Sequence, residues 1–251
     1  MHEILVKGKT LPEAYHKSIL ELHTNGLITD CPDYQQKQKE CSITIYVKEP
    51  LAEPMISKLF IGGFEELEQY RQEILDGILD FLIGHGWDYT YHDRIARQLP
   101  FIYDELQRNP YSRRAVIDVR DWEADTKEGN TSPACLQHIQ YFIRDRKLHC
   151  KVLMRSNDAP EAAFMNMFAF IMLQESVAGK LGYQVGSYTH RANSYHCYEK
   201  DFQLLENYAR KITTRSLEEL TYAYEGYFKE LMEEAKPKIA QKVAALKEKR
   251  K

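Results

Sequence analysis

Apolar and polar side chains alternate along this chain with two different periods. Apolar residues recur every three or four positions in six segments, which predicts helices, and at every second position in five others, which predicts strands. The segment 160–182 is apolar on nearly all sides, so it predicts a buried helix. The predicted helices are 11–26, 64–84, 95–110 with a kink at Pro100, 160–182, and two that begin at residues 200 and 216. The predicted strands are 41–48, 113–122, 135–144, 147–154 and 184–198.

Two of these strands are separated only by the charged turn "RDRK", which predicts a β-hairpin. Such a hairpin brings its two open ends together, and here those ends carry Cys135 and Arg155. The mixture of elements predicts an α+β fold: a single domain with a mixed β-sheet packed against a long buried helix, and further helices around it. We expect this domain to span residues 1–235 and to be followed by a charged C-terminal tail, 236–251.

Composition narrows the class of protein. The chain has 251 residues, 43% of them hydrophobic, and a formal net charge of −3. This length and composition suit one large domain, and the charge gives no reason to expect nucleic acid or a membrane as partner. The N-terminus lacks an apolar core of signal-peptide length, and the most apolar stretch, 162–173, is too short to cross a bilayer. A cytoplasmic protein is therefore expected.

The five cysteines predict free thiols rather than disulfides or a metal site. Their number is odd, and no two of them have C-x-x-C spacing. No metal is predicted.

Three features depart from the apolar pattern. Asn166 lies inside the most apolar helix, where an amide must be hydrogen-bonded or costs a few kcal/mol. Arg113 and Arg114 follow "NPYS", where a helix ends and a strand begins, and could be a solvated edge or a phosphate site. Cys135 could be a small core residue or a nucleophile. None of the three is decisive alone.

Taken together, the motifs are similar to those of the thymidylate synthase family, which includes pyrimidine hydroxymethylases. "PAC" is followed five residues later by Gln140, then by "DRKL", "RSND", Asn166 and "HCY" at the family's spacing. Upstream, "NPYSRRAV" resembles the family's double-arginine segment. "EELEQY" resembles its glutamate-bearing helix, and "YTYHDRI" resembles its tyrosine-bearing loop. The resemblance covers roughly residues 60–200 and implies a thymidylate synthase-like fold.

The resemblance implies a one-carbon transfer to C5 of deoxyuridylate, giving thymidylate, with 5,10-methylene-tetrahydrofolate or a related reduced pterin as co-substrate. Cys135 would add to C6 of the pyrimidine, because a thiolate is the reactive form of cysteine and Arg155 could stabilise it. The other implied roles are phosphate binding by Arg155, Ser156 and, from the second subunit of a homodimer, Arg113 and Arg114; base recognition by Asn166; sugar binding by His196 and Tyr198; proton handling by Glu66 and Tyr91; and pterin binding by Asp158.

Departures from the family pattern leave the product open. Met154 stands where synthases have glutamine, the chain ends in "LKEKRK" instead of an apolar tail, and the family's N-terminal arginine loop is missing. A deoxyuridylate or other pyrimidine nucleotide hydroxymethylase is therefore the first alternative. A catalytically silent member of the fold that binds nucleotide or RNA is the second. A cysteine hydrolase pairing Cys135 with His138 or His196 is the third.

Overall fold

The structure is a computed structural model, and it describes residues 2–250. Its elements alternate along the chain as the sequence pattern predicts for an α+β protein. The strands are β1 (Glu3–Gly8), β2 (Leu27–Cys31), β3 (Gln36–Val47), β4 (Ile56–Ser57), β5 (Val116–Asp118), β6 (Leu136–Arg144), β7 (Lys147–Asp158), β8 (Gln184–Tyr198) and β9 (Thr221–Tyr222). The α-helices are α1 (Leu11–Asn25), α2 (Phe64–Leu75), α3 (Tyr91–Ala96), α4 (Leu99–Arg108), α5 (Trp122–Asp125), α6 (Phe164–Leu181), α7 (Phe202–Thr214) and α8 (Lys229–Glu248).

A seven-stranded sheet occupies the centre of the fold, in the order β1-β3-β8-β7-β6-β5, with β2 paired to β3. The pairs β1–β3 and β7–β8 are parallel, whereas β3–β8, β6–β7 and β5–β6 are antiparallel. The mixed sheet and the hairpin of β6 and β7 confirm the predictions from the sequence. Strands β4 and β9 form a separate small sheet.

The long helix α6 lies against β7 and β8 and supplies much of the core. Its buried residues point in every direction around the helix axis, which explains why its sequence is apolar on nearly all sides. Residues 159–181 are long and apolar enough to span a membrane, yet 72% of the relevant stretch is buried inside the protein. The prediction of a long buried core helix is confirmed.

The predicted single helix over 64–84 is wrong. Helix α2 ends at Leu75, and Gly77 adopts the left-handed conformation with φ of 64°. A side chain at position 77 would collide with His92, since a Cβ there would lie 2.2 Å from its ring. The apolar spacing continues past the break because the chain turns and still packs Leu79 and Leu82 into the core.

Two other predicted boundaries also need correction. The helix predicted over 95–110 is two helices, α3 and α4, separated at residues 97–98. Pro100 lies at the start of α4, where a missing N–H has no cost. The strand predicted over 113–122 is shorter, because Asp121 caps helix α5: its side chain accepts a hydrogen bond from Ala124 N–H at 3.0 Å.

The C-terminal region differs from the prediction as well. No helix starts at Ser216; a turn and the short strand β9 follow, and α8 begins only at Lys229. Helix α8 packs along α2 and fully buries Ile239. Lys238 and Lys242 both form ion pairs with Glu65. The boundary drawn between residues 235 and 236 therefore falls inside a packed helix.

Candidate active site

The β6–β7 hairpin brings Cys135 and Arg155 together at its open end. The backbone N–H of Arg155 donates to the Cys135 carbonyl at 2.8 Å. The Arg155 side chain also donates to two carbonyls of the preceding loop, from Nε to Ala134 at 3.1 Å and from Nη2 to Pro133 at 2.8 Å. The arginine therefore holds the cysteine loop in place. A guanidinium has five N–H donors, so further donors remain for a ligand.

The environment of Cys135 controls its reactivity. The residue is half-buried, and burial raises the pKa of its thiol, while the positive charge of Arg155 acts in the opposite direction. The balance leaves the pKa above that of an ordinary cysteine. In the unliganded protein the thiol form therefore predominates at neutral pH, and the attacking thiolate must form when substrate is in place.

A cavity of about 430 Å³ lies near this cysteine, although Cys135 is not one of the residues that line it. Tyr91 lines the cavity, and its hydroxyl accepts a hydrogen bond at 3.2 Å from the backbone N–H of Leu136, the residue after Cys135. Most of the wall is apolar or aromatic, with two carboxyl groups, the half-buried Glu73 and the exposed Asp88. Such a cavity, apolar with a few polar groups, is typical of a small-molecule site. Its lining includes Tyr70, Glu73, Ile74, Leu79, Trp87 and Tyr89.

Glu66 does not lie in this cavity. It is exposed near the start of α2, and its carboxylate accepts a hydrogen bond from Gly63 N–H at 2.8 Å, which caps the helix. Its neighbour Glu65 is held by lysines of α8. Glu68 is buried against Arg71, with two hydrogen bonds of 2.8 Å. Each of these three carboxylates therefore has a structural partner.

Glu73 is the carboxyl group of α2 that faces the cavity. It lies seven residues after Glu66, two helical turns along the same face. Burial raises its pKa, and a hydrogen bond of 2.9 Å from Gln69 only partly offsets that effect. A carboxyl with a raised pKa beside a cavity is typical of a proton donor or acceptor in catalysis.

Asn166 on α6 contacts α2 through one side-chain hydrogen bond. The residue is 6% exposed, and its Oδ1 accepts a hydrogen bond from the hydroxyl of Tyr70, which lines the cavity. Burial raises the pKa of Tyr70 well above its ordinary value, so this hydroxyl keeps its proton. The amide that the sequence singled out is thus hydrogen-bonded, and it lies beside the cavity wall.

Four further predicted residues meet where β7 and β8 end. Asp158 pairs with His196 in the register of these parallel strands. Ser156 Oγ lies 3.3 Å from Nδ1 of His196, and the rings of His196 and Tyr198 meet edge to face at 4.8 Å. Burial is the main cause that lowers the pKa of His196, and the charge of Arg155 adds to it, so this polar group lies near the cysteine loop.

Asp158 has an unusual electrostatic environment. Burial is the main cause that raises its pKa to about 7, and the nearby carboxylates of Glu161 and Asp201 add to the effect. Its side chain also accepts the backbone N–H of Glu161 at 3.1 Å and so caps the turn that leads into α6. The group can therefore hold a proton near neutral pH.

Arg113 and Arg114 lie apart from these residues and are exposed. Their backbone is fixed: Gln140 Nε2 donates to the Arg113 carbonyl at 3.0 Å, and Arg114 N–H donates to Ser112 Oγ at 3.0 Å. Their side chains form no salt bridge within the described residues 2–250. They are available to a partner or ligand.

The structure gives no support to a cysteine–histidine pair. Nδ1 of His196 lies near Ser156 Oγ and the Ser194 carbonyl, and neither His196 nor His138 is hydrogen-bonded to Cys135 within the part of the chain described. Met154 is 1% exposed in the core and pairs with Leu136 in the register of β6 and β7.

Three residues of this site, Tyr70, Glu73 and Trp87, were missed by sequence reasoning. A signal existed for Glu73, because it precedes the buried Ile74 on an amphipathic helix and shares a face with Glu66. The sequence could not show that α8 and the helix cap would occupy the earlier glutamates.

Comparisons with known proteins agree with this geometry. The family model described as thymidylate synthase matches residues 65–233. A protein of Methanocaldococcus jannaschii, provisionally named a thymidylate synthase, is 29% identical over 216 residues, covering 82% of this chain and 96% of the relative. Thymidylate synthase 1 of Bacillus subtilis is 25% identical over 158 residues, covering 60% of this chain and 54% of the relative.

A solved structure shows the same fold. Thermostable thymidylate synthase A from Bacillus subtilis superposes with a TM-score of 0.64 at 19% identity, covering 80% of this chain and 84% of the other. The family match spans more than half of the chain and includes Glu73, Cys135, Arg155 and Asn166. This chain belongs to the thymidylate synthase family.

Proposed function

We propose that this protein transfers a one-carbon unit from 5,10-methylene-tetrahydrofolate, or a related reduced pterin, to C5 of deoxyuridylate and forms thymidylate. The observation that carries the proposal is the joint position of Cys135 and Arg155 next to Tyr91, which lines the same cavity as Glu73. A nucleophile, a fixed cation and two proton-handling groups close together form a set that a binding protein does not need.

The nucleophile acts first. The Cys135 thiolate adds to C6 of the pyrimidine, and C5 then carries the electron pair that attacks the one-carbon unit. Phosphate binding by Arg155 and Ser156 positions C6 over the sulfur. His196 and Tyr198 bind the 3′-hydroxyl of the sugar, and Asn166 binds O4 and N3–H of uracil.

Proton handling follows from the cavity wall. Tyr91 receives the C5 proton through ordered water, because its hydroxyl is fixed next to Cys135. Glu73 takes the role that the sequence suggested for Glu66, and acts on O4. Departure of the Cys135 thiolate from C6 then restores the double bond of the product.

The residues present fit a reduced folate. Trp87, Tyr89 and Leu79 offer flat and apolar surface, and the carboxyls of Glu73 and Asp158 can accept hydrogen bonds from ring N–H groups. When bound, the folate supplies the carbon unit and, in a synthase, the hydride. Asp158 is the residue expected to bind its pterin ring.

We also propose that the protein is a cytoplasmic homodimer. On β7 and β8 the buried side chains face α6, whereas alternating residues such as Leu153, Thr189 and Arg191 are only partly buried. A second copy could cover this sheet face. It would bring the exposed Arg113 and Arg114 to the partner's phosphate site.

The runner-up is hydroxymethyl transfer to the same nucleotide. Both reactions share the covalent start and separate at the exocyclic methylene on C5, which either takes a hydride or is attacked by water. Met154, which stands where synthases have glutamine, is a sequence feature that favours the hydroxymethylase.

The test is a product assay. The protein is incubated with deoxyuridylate and methylene-tetrahydrofolate, and both products are identified by mass spectrometry. Thymidylate with dihydrofolate supports the synthase, and hydroxymethyl-deoxyuridylate with tetrahydrofolate supports the runner-up. The assay is repeated with a tetrahydromethanopterin-type carrier. If deoxyuridylate binds but neither nucleotide product forms with either carrier, the protein is a catalytically silent member of the fold.

A further inference from the structure

We infer that Tyr70 sets the base preference of this site by holding the Asn166 amide in one orientation. The inference rests on the proposed function, because it assumes that Asn166 meets a pyrimidine. Tyr70 is then a positioning residue: it acts on the nucleotide through Asn166.

The first step is the contact itself. The Tyr70 hydroxyl donates to Asn166 Oδ1, and this is the side-chain hydrogen bond that Asn166 makes among the described residues 2–250. The two residues lie on α2 and α6, which pack against each other. Since both helices belong to the core, the distance between hydroxyl and amide is set by rigid elements.

The second step is the direction of the amide. Oδ1 accepts the hydrogen bond from the Tyr70 hydroxyl. Nδ2 has no hydrogen-bond partner in the described structure, and it is not among the fully buried side-chain atoms that lack a partner. Nδ2 is therefore free to donate to a ligand. A second lone pair on Oδ1 can still accept one hydrogen bond. Together they present one donor and one acceptor.

This arrangement matches uracil. Nδ2–H can donate to O4, and Oδ1 can accept N3–H. Cytosine has an amino group in place of O4 and no proton on N3, so it requires the amide turned by half a rotation. In that orientation Nδ2 would face the Tyr70 hydroxyl, and the hydroxyl oxygen would have to accept a hydrogen bond from it. The hydroxyl would then have no acceptor for its own proton.

Loss of that acceptor is costly because Tyr70 is half-buried and packs against the core. Its environment includes Tyr91, Glu73, Cys135 and Tyr89, and its pKa is raised well above the ordinary value, so the hydroxyl cannot release its proton instead. An unsatisfied buried donor corresponds to roughly ten- to hundredfold in an equilibrium constant. Tyr70 therefore disfavours the cytosine-binding orientation of the amide.

The experiment compares kcat/KM for deoxyuridylate and deoxycytidylate in wild type and Tyr70→Phe. The substitution removes only the hydroxyl. The ratio of kcat/KM for deoxyuridylate to kcat/KM for deoxycytidylate should therefore fall by about tenfold or more, while the melting temperature stays near that of wild type. Tyr89→Phe is the matched control: it removes another hydroxyl from the cavity wall that is not bonded to Asn166, and the ratio should not move.

A double-mutant cycle separates positioning from packing. In an Asn166→Ala background, Tyr70→Phe should no longer change the ratio, whether it is measured in turnover or in dissociation constants of the two nucleotides. Equal loss for both bases in Tyr70→Phe would overturn the inference and leave the proposed function intact. Absence of deoxyuridylate binding and turnover in wild type would instead overturn the proposed function.

Discussion

The backbone N–H of Arg155 donates to the carbonyl of Cys135, while the guanidinium of the same arginine binds the two carbonyls just before that cysteine. One residue at the end of β7 thus fixes the loop and also places a positive charge near the sulfur. These two effects can be separated by experiment, because a lysine keeps the charge and loses the fork of donors.

We expect the alkylation of Cys135 to require high pH in the unliganded protein, because burial raises the pKa of its thiol. Arg155→Gln should raise that pKa further and slow alkylation at pH 8. Arg155→Lys should restore part of the rate. The measurement is the rate of iodoacetamide labelling against pH, resolved by peptide mass spectrometry, with Cys31 as internal reference. Equal labelling rates of Cys135 in Arg155→Gln and Arg155→Lys would show that the charge has no effect on the thiol.

The matched pair Glu73→Gln and Glu66→Gln tests which glutamate of α2 handles protons. Glu73→Gln should lower kcat by about 10²–10⁴-fold, as expected for loss of a general acid or base. Glu66→Gln should have little effect, because glutamine can also cap the helix at this position. Steady-state kinetics of the two variants decides the matter. A larger loss in Glu66→Gln would restore the assignment made from the sequence.

That pair also shows how far sequence reasoning reaches. The strands β3, β6, β7 and β8, the hairpin and the buried helix α6 could be predicted because their apolar patterns are local, whereas β1, β2, β4 and β9 were not predicted. The end of α2 could not, since the apolar spacing continues past Gly77 although the backbone turns there. The choice between Glu66 and Glu73 depends on a tertiary contact: α8 packs on the early turns of α2, and residues of that helix are far away in sequence.

Asp158 should make the stability of the protein fall with rising pH. Its pKa is raised to about 7 in the folded state, so between about pH 4 and this value the native state keeps a proton that the unfolded chain has released. The free energy of unfolding then decreases by at most about 1.4 kcal/mol per pH unit, and this contribution is constant outside that window.

Asp158→Asn tests this pH dependence because asparagine keeps the capping hydrogen bond and does not titrate. Urea unfolding of the variant between pH 4 and 8 should show a shallower decline than wild type. Asp33→Asn, an exposed substitution on the turn after β2, is the control and should leave the slope unchanged. A decline of the same steepness in Asp158→Asn would place the titrating group elsewhere.

The proposed dimer predicts complementation between two inactive variants. Cys135→Ser lacks the nucleophile and Arg114→Ala lacks a phosphate ligand, so each homodimer should be inactive or severely impaired. A mixed dimer would contain one site with both functional residues. Mixing the proteins after partial denaturation and refolding should recover a measurable fraction of activity. No recovery, despite mixed dimers seen by native mass spectrometry, would remove Arg114 from the site of the partner.

The most direct test of the account is covalent capture of the nucleotide by Cys135. A 5-fluoro analogue of deoxyuridylate should form a stable adduct in the presence of methylene-tetrahydrofolate, because fluorine at C5 cannot leave as a proton does. Peptide mass spectrometry should place the adduct on Cys135 in wild type and find none in Cys135→Ser. An adduct on Cys150 or Cys197, or no adduct under conditions where the nucleotide binds, would contradict nucleophilic catalysis by Cys135.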